Sequence, residues 1–149
     1  MSNQVYIYRT YTYEQFIRKL FSVNREFLPT FVKKETTGLQ KKLKQALHTG
    51  RRKGTKYSKL PHVSSSPGEF PRSQSGTLAN SIKKAVKTTG AGTKGSVFTD
   101  LFYAKYLEEG TPKGQMKPRP FFKPTMEKEI PPMVNRLKTE LRSYFNNVY

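Results

Sequence analysis

The string Gly90-Ala91-Gly92-Thr93-Lys94-Gly95 has the glycine spacing with which a dinucleotide site meets a pyrophosphate. That chemistry needs the glycines to open a helix, whose N-terminal N–H groups and dipole hold the phosphate. Residues 96–99, Ser-Val-Phe-Thr, favour a strand instead. An acid about 20 positions on should also meet the ribose, and Glu108 and Glu109 lie too near. The string is therefore expected to be a hairpin tip. Hydrolytic chemistry has even less to work with. Asp100 is the single aspartate, His48 and His62 are the two histidines, and neither lies near a nucleophile motif. With no cysteine and no obvious third ligand, a metal site is not expected. Glu108 and Glu109 are adjacent, so they point apart on a helix or a strand and are poorly set to share a proton. No Walker glycine-lysine-serine/threonine string occurs. The expectation is a protein without catalytic residues, cofactor or metal, and not an enzyme.

The elements around these residues read as follows. Residues 4–11 alternate and are rich in strand formers, and Thr12 with Gln15 resembles a capping box opening a helix. Tyr13, Phe16, Ile17, Leu20 and Phe21 recur at helical spacing. Pro29 kinks that pattern or starts a new helix, whose stripe is Val32, Leu39, Leu43 and Leu47. Lys33, Lys34, Lys41 and Lys44 fall on its far side, and Gly50 is the expected C-cap. Residues 51–76 lose all hydrophobic period, so 51–75 reads as a long extended loop within a single 1–149 domain. A short helix or turn leads into a strand at 82–88, paired with 96–99 across a long glycine-rich tip. Residues 102–108 fit helix or strand. A final helix carries Met126, Ile130, Met133 or Val134, Leu137, Leu141, Tyr144 and Val148, with Pro131-Pro132 expected to break or kink it.

The chain has 149 residues and 34% hydrophobic content, with 9 Tyr and 10 Phe, which suits one modest core. No apolar run approaches the roughly 20 residues of a membrane span, and the N-terminus lacks a signal-peptide pattern. A chain that is cytosolic when made, with no membrane contact, is the expectation. The net charge is +18, from 28 basic and 10 acidic residues. Such charge calls for phosphate, an anionic surface or an acidic protein. Single-strand binders interleave aromatics with cations, but between Lys33 and Lys59 the only aromatic rings belong to His48 and Tyr57. A basic nucleic-acid-binding module remains the alternative.

Four segments then occur in order. Tyr57 precedes the Ser64-Ser65-Ser66-Pro67-Gly68-Glu69-Phe70-Pro71 loop, and Ser75-Gly76-Thr77-Leu78-Ala79-Asn80-Ser81-Ile82 follows. Next come Tyr103-Ala104-Lys105-Tyr106-Leu107-Glu108-Glu109-Gly110-Thr111 and Lys117-Pro118-Arg119-Pro120-Phe121-Phe122-Lys123-Pro124. Together they resemble the loops of the neck and tail-completion (head–tail joining) proteins of long-tailed bacteriophages. Ser66 stands where that family commonly has alanine, and Ser75 where it has threonine. The likeness spans 57–124 and says least about residues 1–50.

The resemblance implies an α+β fold: a small antiparallel sheet, a long N-terminal helix, a C-terminal helix and the extended loop. It also implies a virion structural protein at the head–tail junction, a homo-oligomeric ring through which the genome passes. Its partners would be the adaptor or head-closure protein and the tail. Tyr57, Pro67, Gly68, Glu69, Pro71, Tyr103, Tyr106, Glu108, Gly110 and Thr111 are the expected contacts with copies or partners. Arg119, Phe121 and Phe122 are the expected anchors, with core packing the competing role for one of the two phenylalanines. Lys33, Lys34, Lys41, Lys44, Arg51, Arg52 and Lys53 would either line a channel, touching DNA phosphate without reading bases, or face an acidic partner.

Overall fold

The computed structural model describes residues 18, 20–49 and 52–147. The expected strand at 4–11, the capping box and Arg51 lie outside them. The fold is mixed α+β, with a long N-terminal helix, a two-stranded antiparallel sheet and a C-terminal helix.

The first long helix, α1, spans Leu28–His48. A π-turn at Val23–Phe27 leads directly into it, and the Leu28 N–H donates five residues back to Val23 O. Pro29 explains the slip. It has no N–H for the usual i→i−4 bond, so it is tolerated only where a helical turn is restarting. The stripe that α1 buries is Phe31, Glu35, Thr36, Leu39, Leu43 and Leu47.

Helix α2 (Thr77–Ser81) turns the chain into β1 (Lys83–Thr89), which pairs with β2 (Gly92–Phe98) from Lys83↔Phe98 to Thr89↔Gly92. Only Gly90 and Ala91 lie between the strands. The long tip expected over 90–95 is thus corrected, since Gly92–Gly95 belong to the ladder. Gly95 has a packing reason to be glycine. A Cβ there would stand 2.0 Å from Thr36 Oγ1 and 2.9 Å from Val32 Cγ1, so the missing side chain lets the sheet press onto α1.

Helix α3 (Phe102–Glu109) resolves the ambiguity at 102–108 in favour of helix. Helix α4 spans Phe122–Asn147 with Pro131 and Pro132 inside it, so the expected break does not occur. Two consecutive prolines leave two carbonyls one turn earlier without helical donors. α4 is held from outside: Glu35 takes a bidentate grip from Arg136, Nε to Oε1 at 2.9 Å and Nη2 to Oε2 at 2.6 Å. Lys42–Glu129 and Lys34–Glu140 tie α1 to α4 on either side of that pair.

The core joins Leu39, Leu43 and Leu47 to Leu78, Ala79, Ile82, Ala104 and Phe121. Outside it, Phe102 is 80% and Tyr57 53% exposed. Among the described residues no helix is long and apolar enough to cross a membrane.

Candidate docking site

The four sequence segments meet at one place, beyond the C-terminal half of α1. Glu108, at the end of α3, is the hub. Its Oε2 accepts the Phe121 and Phe122 N–H groups at 2.8 and 3.0 Å, and its Oε1 accepts the Lys123 N–H at 2.8 Å. A carboxylate on the first N–H groups of α4 satisfies donors that no helical carbonyl reaches, at the end of the dipole that favours negative charge. Glu109 points away and lies 4.0 Å from Lys105, so the two carboxylates have separate surroundings. Glu108 is therefore an internal clamp, which corrects its expected partner contact.

Arg119 is drawn inward in the same way. Its backbone N–H donates to Leu107 O at 2.6 Å and its Nε to Ser65 O at 3.0 Å, tying the fourth segment to the third and the first. Gly68 N–H donates to Pro118 O at 2.9 Å. Thr111 exchanges two bonds with Met116, N–H to O and Oγ1 from N–H, both 3.0 Å, and closes the 110–116 loop. Gly110 starts that loop at φ +81°, with Met116 O only 2.9 Å from where a Cβ would stand, so glycine is required there. Phe121 is fully buried and packs in the core, its ring 4.6 Å from that of half-buried Phe122. That corrects Phe121 as an anchor: a side chain without exposed surface has nothing to offer a neighbour.

The loop over 51–75 divides in two. Residues 53–63 are largely exposed and pinned at their base by Gly54 N–H to Ser64 O and Ser64 N–H to Thr55 O. Residues 64–75 lie on the domain, with Ser65, Pro71 and Ser73 buried and Ser73 N–H donating to Leu47 O. Glu69 closes the bend by accepting from the Ser66 and Lys53 N–H groups, which hold its carboxyl below the usual range. Of the extended loop read over 51–75, residues 64–75 thus pack on their own domain, where Glu69 and Pro71 are structural. Tyr57 and Tyr106 keep exposed rings.

These segments line an open cavity of about 330 Å³. Leu60, Pro71, Leu78 and Leu107 line it together with Tyr103, whose phenol pKa burial pushes up. Arg72, Arg119 and a run of serines supply its polar side.

The basic residues do not form one surface. Lys33 and Lys41 are exposed on the free side of α1 and Lys44 is half-buried there, while Lys34 is engaged by Glu140 at 2.7 Å. Arg52 folds inward, donating from Nε to Phe70 O and from Nη2 to Ala46 O. Burial and the neighbouring Arg72 charge lower its pKa. Its inclusion among channel-facing cations is corrected: it binds the loop to α1. Lys53 is exposed. Sequence reasoning passed over Glu35, although its position four residues after Phe31 and four before Leu39 puts a carboxylate on the buried stripe and calls for a cation opposite. It also passed over Ser73, which had no signal in a serine-rich loop.

Comparison with family models, with curated proteins and with solved structures finds no match to this chain.

Proposed function

We propose that this chain is a structural protein of a phage head–tail junction, one subunit of a ring that joins capsid to tail around a genome channel. The observation that carries the reading is that three of the four neck-like segments, the first, third and fourth, are hydrogen-bonded into a single knot through Glu108, Arg119 and Gly68, while the second packs in the same core through Leu78, Ala79 and Ile82. Exposed Phe102, Tyr57 and Tyr106 also fit a subunit that completes its burial against others. The role of the knot is to hold the surface around it in one shape, so that little ordering entropy is lost on docking. The charge then acts as a field, towards DNA phosphate or towards acidic neighbours.

Native mass spectrometry of the purified protein, alone and with its adaptor and tail neighbours, tests this. A single closed stoichiometry above the dimer is expected, because heterologous contacts that close make rings. A monomer under every condition, with tight DNA binding and a steep salt slope, would replace this reading with a nucleic-acid-binding module.

A further inference from the structure

We propose that the cavity beneath the knot is a peptide-docking site that takes an acidic segment with an adjoining apolar or aromatic side chain, supplied by a neighbouring protein of the assembly. The inference rests on the neck reading only for the source of that segment. Three observations point to a ligand. The walls are mixed in a directed way, with Pro71, Leu78 and Leu107 forming apolar lining while Arg72 and Arg119 bring positive charge. The volume, about 330 Å³, accepts an aromatic side chain with part of its backbone. Ser73 is 5% exposed and lines the cavity, yet its Oγ has no hydrogen-bond partner among the described residues. Buried hydroxyls are seldom left so, and an incoming carboxylate or carbonyl oxygen would accept from it.

The chemistry selects the occupant. A phosphodiester backbone offers nothing to the apolar lining, and a free anion would leave most of the cavity empty. The chain itself is a poor source of acid. Of its ten carboxylates, Glu35, Glu69, Glu108, Glu129, Glu140 and Asp100 already hold internal partners. With a net charge of +18, acid is what it must find elsewhere.

The test uses the full chain and a capped peptide bearing two carboxylates beside a phenylalanine, titrated by calorimetry. Saturable binding of one peptide per chain is expected, weakened at least tenfold when the carboxylates become amides. Ser73→Ala should weaken it by a few-fold to about tenfold, the worth of one hydrogen bond, without lowering thermal stability, since the hydroxyl has no internal partner to lose. Ser75→Trp, at the exposed rim, should plug the cavity and abolish binding while leaving the core untouched. The proposal is overturned if the wild type shows no saturation up to millimolar peptide, if both variants bind like the wild type, or if inorganic phosphate competes as well as the peptide. Mass spectrometry of the same samples separates the two readings. Rings without peptide binding sink the docking site alone, whereas peptide binding on a permanent monomer sinks the ring alone.

Discussion

Replacing Gly95 by alanine should destabilise the protein although the residue is itself exposed and sits in a strand, where glycine is usually the worse choice. An added Cβ would lie 2.0 Å from Thr36 Oγ1, 2.9 Å from Val32 Cγ1 and 3.3 Å from Thr36 Cβ. Ordinary carbon contacts sit at about 3.5–4.0 Å. Either the hairpin lifts off α1 by more than about 1 Å or the Thr36 side chain is forced round. Thr36 is 6% exposed and β-branched, so it has little room to turn. Overpacking of this kind costs about 1–3 kcal/mol, against a gain of about 0.4–1 kcal/mol from a less flexible unfolded chain. The net loss should be about 1–2 kcal/mol. Gly90 is the internal control, because no atom lies within 4 Å of its would-be Cβ and its φ is not in the left-handed region. Gly90→Ala should therefore be neutral or stabilising by less than about 1 kcal/mol. Thr36→Ala removes the atom at 2.0 Å, so adding it to Gly95→Ala should cost less than the two single losses summed. Urea unfolding midpoints at constant slope measure the four variants against the wild type. If Gly95→Ala is as stable as Gly90→Ala, close packing does not explain this glycine. A saturable rise in melting temperature with a dinucleotide would point to a ligand role for the string instead.

Three further outcomes are expected. Glu108→Ala should cost about 2 kcal/mol by leaving three N–H groups at the start of α4 without an acceptor, and Glu108→Gln, which keeps one acceptor oxygen, should cost less. A thermal-unfolding shift equal for both variants would contradict the clamp. The Arg136 hydrogen bond, and then its charge, hold the Glu35 carboxyl below its ordinary 4.5, so the pair contributes stability that is complete above that pH and fades as pH falls through the lower folded-state pKa. Urea midpoints should drop below about pH 4.5, and Glu35→Gln should flatten part of that limb; an unchanged limb refutes the assignment. Exchanging Lys33, Lys41 and Lys44 for glutamate, sparing the engaged Lys34, should leave ring assembly intact and disturb genome retention or ejection. Failure to join heads to tails would place an acidic partner on that face instead of DNA.

Helices were the most legible part of the fold: the apolar period of α1 marks a buried face directly, whereas the stripe of α4 marks the helix but ends half-buried, with Ile130 exposed. The hairpin was legible in place but not in length: glycines at 92 and 95 read locally as turn residues, and the helix that needs Gly95 bare is some sixty residues away. Of the break or kink expected at the double proline, the break does not occur, for a similar reason. The local cost of the prolines is real, yet ion pairs from α1 hold α4 through them. The first, third and fourth motif segments marked the knot, while the direction in which each side chain points could not be read. Phe121 looks like a contact residue in a string of letters and proves to be buried, while Glu108 and Arg119 hold internal hydrogen bonds and stay half-buried.

That inward turn alters what the motif residues are for. A subunit that must meet neighbours in one geometry needs its contact surface fixed before the encounter, since each residue ordered on docking costs about 1–2 kcal/mol of backbone entropy. A loop stiffened by Pro67 and Pro71, bent by Glu69 and bolted to 107–119 through Gly68 and Arg119 has lost that entropy during folding. The residues left outside, Tyr57, Phe102 and Tyr106, are large and aromatic, the types that contribute most binding energy per side chain at interfaces. Damage to the knot should therefore weaken assembly through loss of shape, across many contacts at once. Damage to an exposed ring should remove a single contact and leave the fold intact.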